Sequence, residues 1–327
     1  MQGEGLLAGL LGSLKPRRRR RQPTEELPLA SRAVSYTVIA ALLAASLPII
    51  LSYTLLVELS FSASFIATPF EKTSFTLENW RLFFQGRLAP TAAQIYTPSY
   101  IRRMILDTLI VALGVMGVVV ASATPAAYAF SRMNFRGRGA LMRFLILLHA
   151  FPGVALIIGV YAIYVYTYRR LALGLHAGEA ALLAYAFLYV IVARASLEIP
   201  MSTWLMKGFF DRIPWEVEWA ALVDGASRLR VFTRIMLPLV KPGLAALSIF
   251  SFMAGWEELI YVVVFLPSKA PTLASYIHSQ LSGGAIETAY LPVVAAAAVV
   301  YLIPTILFFV FTQSLLVEAA EGAGVKA

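Results

Sequence analysis

Cysteine is absent from the 327 residues. That excludes disulfides, thiolate metal sites and a cysteine nucleophile, and it leaves the redox compartment open. Charge is scarce: Asp, Glu, Lys and Arg make up 14% of the chain, where a soluble domain carries about a quarter. No Gly-Lys dipeptide occurs, so there is no phosphate-binding loop of the Walker type. The Gly-x-Ser-x-Gly elbow and the His-Glu-x-x-His zinc motif are missing as well. The three histidines, His149, His176 and His278, are scattered, and no two of them have metal-ligand spacing. Each reads as a helix-end or loop residue, and no catalytic or metal-binding residue is assigned.

Apolar residues are plentiful. The chain is 59% hydrophobic with a mean hydropathy of +0.75, the composition of an integral membrane protein. Runs long enough to span a bilayer as helices fall near 33–59, 104–130, 141–168, 179–206, 244–266 and 290–316. The short alternating segments of a β-barrel are not seen. The expected fold is therefore an all-α polytopic membrane protein with about six transmembrane helices. It divides into a basic arm (1–32), a first transmembrane helix (33–60), an outer loop (61–103), a core of five helices (104–316) and a short tail (317–327). Within the core, residues 211–242 form a long polar connection. The outer loop is aromatic and proline-punctuated and is expected to cap the bundle.

The net charge of +9 reflects where the basic residues lie. Arg17 to Arg21 sit in the arm. Arg132, Arg136, Arg138 and Arg143 follow the second span. Lys207, Arg212, Arg228, Arg230, Arg234 and Lys241 flank or occupy the 211–242 connection. These three groups fall on one side if both termini are cytoplasmic, although Arg102, Arg103, Arg169 and Arg170 lie on the other. In the arm the apolar "GLLAGLLGSL" precedes the arginines, the reverse of a secretory signal. The arm is read as touching anionic lipid headgroups, with nucleic acid the weaker alternative; no nucleic-acid partner is assigned.

The connection "EWAALVDGASRLRVFTRIMLPLVKP" reads as two short helices and a turn. Pro214 suits a first helical turn. Gly225 can adopt the left-handed conformation that ends the first helix, and Ser227 can cap the second. Leu229, Phe232 and Ile235 or Met236 fall on one apolar stripe. Pro238 and Pro242 redirect the chain into the next span. Such an amphipathic knob either lies on the membrane surface or plugs into a partner's groove.

Charges inside spans are costly. Arg194 and Glu198, four residues apart, share one face of the fourth span. They form a local ion pair, line a pathway or contact a partner. Glu257 and Glu258 stand mid-span in the fifth helix. Arg194 is the only arginine placed deep in a span, and it is expected to meet Glu257, with Glu198 competing for it; Glu257 facing polar substrate is the alternative, and Trp256 and Glu258 belong to the same candidate pathway or intramembrane pair.

The segment "AALVDGASRLRVFTRIMLPLVKP" resembles the EAA loop of permease subunits of ATP-binding-cassette importers fed by a substrate-binding protein. Ala220, Ala221, Asp224, Gly225, Ala226, Phe232, Ile235, Leu237, Pro238 and Pro242 carry the match. The family's glutamate stands where this chain has Trp219. Glu218 comes one residue earlier, about 100° away around a helix. The resemblance covers about 100–327. "DTLIVALGV…AAYAFSRMNFRGRG" resembles the family's second span and the turn after it, and "WLMKGFFDRIP" resembles its entry to the loop. "GWEELIYVVVFL" is similar to the family's Trp-Asn-Glu-Phe segment, with Trp256 and Glu258 matching and Glu257 in place of Asn. The tail "EGAGVKA", with Gly324, Val325 and Lys326, is similar to that of the second, maltose-type permease of the carbohydrate-uptake group.

The resemblance implies an importer subunit in the cytoplasmic membrane that carries a sugar, oligosaccharide or polyol-phosphate. It also implies a second homologous permease, two ATPase subunits and an extracytoplasmic binding protein. ATP and Mg would reside on the ATPases, with no cofactor on this chain. The coupling residues would be Glu218 and Trp219 with the matching positions above, Trp219 docking as an aromatic ring in an apolar groove. The tail would reach between the ATPases. The stretch "SQLSGGAIETAY", with Ser282, Gly283 and Gly284, resembles a loop that some members insert into the binding protein, although a plain flexible loop fits equally. An ion-coupled secondary transporter is the rival reading, opposed by the lack of an inverted repeat.

Overall fold

The computed structural model describes residues 29–87, 97–282 and 291–324. Among them, helix is the only regular structure apart from one isolated β-bridge, Ser62 to Phe75. Contacts divide the chain into residues 1–53 and 54–327.

Helix α1 (Leu29–Ser60) supplies the first unit up to Tyr53 and gives its last turns to the second. Leu42, Leu43 and Ile49 are exposed on it, the all-round apolar surface of a helix built for hydrocarbon. In the second unit, α2 (Glu78–Gln85) is tied back to the end of α1. The buried Asn79 amide donates to the carbonyls of Ser60 (3.2 Å) and Ser62 (2.7 Å). Phe61 stacks on Phe75 and Trp80, so part of the aromatic outer loop is an ordered cap.

The core is α3 (Pro98–Arg132) against α6 (Glu179–Asp211), with α9 (Lys241–Trp256) packed on both. Val111, Val115, Val119, Ala123 and Ala127 of α3 repeat every four residues and are all buried, facing Val190 and Ala195 of α6. Gly255 lets α9 approach α3 closely: a Cβ there would lie 2.8 Å from the Ala112 Cα. That contact fixes which way α9 is turned.

Two expected spans differ in detail. Residues 141–168 are not one helix. α4 (Arg138–His149) and α5 (Gly153–Arg169, extended through Gly174) are separated at Phe151-Pro152, because Pro152 cannot continue the ladder and disfavours helix at Phe151. The fifth span is likewise interrupted: α9 ends at Trp256, and α10 covers Ile260–Phe265. α11 (Leu273–Ser282) and α12 (Leu291–Gly324) complete the described chain. Among the described residues, five helices are long and apolar enough to cross a membrane, or six if the bent pair 228–239 and 241–256 counts as one. Ser282 ends α11 and Gly324 ends α12, whereas Gly283, Gly284, Val325 and Lys326 lie outside the described residues.

Candidate functional site

The connection between α6 and α9 folds as a helical knob. Pro214 stands at the N-cap of α7 (Trp215–Val223), just before the first helical turn in which the sequence placed it, and no side chain caps that end. The exit is a Schellman turn. Gly225, at φ +83°, donates to the Leu222 carbonyl, and the Ala226 N–H donates to that of Ala221. The Ser227 hydroxyl then accepts from the Arg230 N–H and starts α8 (Arg228–Leu239), which widens to π-helical turns over Phe232–Met236. α8 meets α9 at an 80° bend, between Pro238 and Pro242. Gly225 and Ser227 adopt the conformations their chemistry favours, whereas Pro214 lies one residue before the helix and Pro238 lies within α8.

The apolar stripe is set differently. Val231, Phe232 and Met236 face the core, whereas Leu229 is 71% exposed. The cap places Arg228–Val231 as the first turn, and the widened turn after it rotates the buried face by about one residue. Outward on the knob stand Trp219 (59% exposed), Val223 (83%) and Leu229, an apolar patch beside the exposed Ala220 and Asp224. Ala221, Ala226 and Leu237 are half-buried beneath it.

Glu218 points the other way. It is 2% exposed and accepts a 2.8 Å hydrogen bond from the Tyr128 hydroxyl of α3. The buried Arg132 guanidinium lies 3.7 Å from it, and Arg228 reaches it from outside at 3.9 Å. Arg132 also donates to the carbonyls of Phe210 (2.6 Å) and Ile213 (2.5 Å), and it lies 4.6 Å from the Trp215 ring centroid. Phe232 packs on Tyr128 at 4.9 Å. One buried ion pair thus joins the end of α3, the exit of α6 and both knob helices. Sequence reading treated Arg132 only as a loop charge and did not single out Tyr128. The one available hint was that Arg132 directly follows the apolar end of a span.

The intramembrane charges are brought together, with one correction. Arg194 binds Glu198 through Nη1 and Glu258 through Nε, both at 2.8 Å. It does not meet Glu257. The fifth helix breaks after Trp256, and the break turns Glu258 inward and leaves Glu257 exposed. Glu258 also caps α10 by accepting from the Tyr261 N–H at 2.8 Å. Trp256 is buried and donates to the Tyr301 carbonyl at 3.0 Å. Among the described residues, no group of three His, Asp or Glu side chains could hold a metal ion.

The bundle of long apolar helices thus carries a preformed knob with apolar side chains on its outside and a buried ion pair beneath it. Residues 114–318 match the family described as "Binding-protein-dependent transport system inner membrane component", and the chain belongs to it. It is 34% identical over 221 residues to the maltodextrin transport system permease protein MdxG of Bacillus subtilis, covering 67% of this chain and 74% of that protein. To the trehalose/maltose transport system permease protein MalG of Thermococcus litoralis it is 26% identical over 286 residues, 84% of this chain and 90% of that one. A bacterial ABC transporter involved in import of the acidic polysaccharide alginate has a chain that superposes with a TM-score of 0.65. The match covers 89% of this chain and 99% of that one at 16% identity, a likeness of fold.

Proposed function

We propose that this chain is one of two permease subunits of an ATP-driven importer and carries a neutral sugar or oligosaccharide inward. The cargo reading draws on the relatives named for maltodextrin, maltose and trehalose. Two separate ATPase subunits supply the energy, and an extracytoplasmic binding protein delivers the solute. The basic residues of the α3–α4 turn and of the knob support a cytoplasmic setting for that turn and the knob.

The observation that carries this reading is the knob itself. Its outer patch, Trp219, Val223 and Leu229, is apolar and unshielded, and its inner face is held by Glu218 and Arg132. A helix that only floated on the membrane would not need a buried ion pair to fix its angle. Movement of a docked ATPase is conveyed through α7 and the strut to α3 and α6, which turn the pathway between the two permeases.

Reconstitution tests it. Proteoliposomes holding the full complex and its binding protein should accumulate maltotriose only with ATP inside. Accumulation driven by a proton or sodium gradient without ATPases would establish the secondary-transporter reading instead.

A further inference from the structure

We infer that Glu257 lines the solute pathway and accepts hydrogen bonds from the hydroxyl groups of a neutral saccharide. The geometry points there on three observations. Its depth is the first: Glu257 lies 16 residues after Lys241, where α9 begins, and eight before Phe265, where α10 ends. At 1.5 Å per residue the first of these helices is roughly 24 Å long, shorter than a hydrocarbon layer about 30 Å thick, so the break at its end falls inside that layer. Its direction is the second. Gly255 is pressed against Ala112 and Trp256 is buried against Tyr301, so the following residue is turned out of the bundle and is exposed. The third is charge. Arg194 is already bound by Glu198 and Glu258, and among the described residues Glu257 has no ion-pair partner. An ionised carboxylate without a cation is disfavoured against lipid tails, so the surface it faces is wet or polar.

The break in the helix serves the same end. Residues 257–259 leave the helical ladder between α9 and α10, which is tolerated at membrane depth where backbone is buried in protein or lines a cavity. Glu258 holds the break open by pairing with Arg194 and capping α10, and so presents Glu257 at a fixed place. The ligand class follows from charge. Two carboxylates share the Arg194 guanidinium and Glu257 adds a third, unpaired one beside them, a locally negative site that repels anionic solutes. A carboxylate with both oxygens unfilled accepts well from the vicinal hydroxyls of a neutral sugar. This deepens the proposed sugar transport and rests on it for the cargo.

The cysteine-free sequence allows a direct test. Glu257→Cys places the only thiol of this chain in the full complex. In membrane vesicles it should react with the hydrophilic probe methanethiosulfonate-ethylammonium at least ten-fold faster than Val263→Cys, which is exposed on the same segment. Maltotriose with the binding protein should slow that reaction. Glu257→Ala should raise the KM of maltotriose uptake several-fold, while ATPase stimulation by the binding protein persists. Labelling no faster than at Val263→Cys overturns the inference whatever the cargo is. Fast labelling that maltotriose does not slow, in a complex that transports maltotriose, overturns the saccharide contact. If the wild-type complex does not transport maltotriose, the cargo reading falls, and the labelling comparison still decides whether Glu257 lines the pathway.

Discussion

Glu218 and Trp219 are adjacent in sequence and opposite in role. Side chains one residue apart on a helix diverge by about 100°, so one of them turns inward when the other turns out. Glu218 is anchored by Tyr128 and Arg132, and Trp219 is left outside. Removing one member of a buried pair strands the other. Glu218→Gln or Arg132→Met alone should cost about 3–5 kcal/mol, seen as a lower thermal midpoint of the purified complex. The double variant should recover a large part of that loss, and simple additivity would show that the two side chains do not act together. Trp219→Ala removes nothing from the core. Complex yield and midpoint should stay near wild type, while the ratio of solute transported to ATP hydrolysed falls and Trp219→Phe restores much of it. A fall in yield as large as that of Glu218→Gln would place Trp219 in the fold instead. The backbone at Gly225 is equally specific. At φ +83° there is open space for a Cβ but no comfortable conformation for a β-branched residue. Gly225→Val should cost roughly 1–2 kcal/mol, and it should abolish uptake by misaligning α7 and α8. Normal uptake by this variant would mean that the angle of the turn is unimportant.

At the level of elements, the two interrupted spans matter most. In α4–α5 the interruption is a proline effect and was written into the sequence as Phe151-Pro152. In α9–α10 there is no proline at the break. Charge and packing make it: Glu258 gains an arginine and the α10 N-terminus, while Gly255 locks the preceding turn. A double-mutant cycle separates the candidate pairs. Arg194→Ala with Glu258→Gln should be strongly non-additive in thermal midpoint, and Arg194→Ala with Glu257→Gln should be additive. Coupling of Arg194 to Glu257 instead would contradict the arrangement of the break. Local sequence could not make this choice, because both carboxylates lie within one turn of each other and only the rotation of α9 distinguishes them.

For the whole molecule, the apolar runs, the turn glycine, the serine cap and the prolines were legible because each acts locally. Hydrophobic periods and left-handed turns depend on neighbours a few residues away. The knob could therefore be drawn in outline from residues 211–242 alone, with the family resemblance completing its meaning. Leu229 turned outward and Val231 took the buried place in the stripe, next to a π-helical turn over Phe232–Met236 that local spacing did not reveal. The strut of Tyr128, Arg132 and Glu218 spans 90 residues of chain, and the Arg194–Glu258 bridge spans 64. Sequence by itself determined that this protein is a bundle of membrane helices with a helical knob between two of them, since burial of apolar runs and satisfaction of backbone polar groups in lipid admit little else for the spans. Which charge meets which was decided only by the tertiary structure, because a buried ion's partner depends on helix rotation and close approach between segments far apart in the chain.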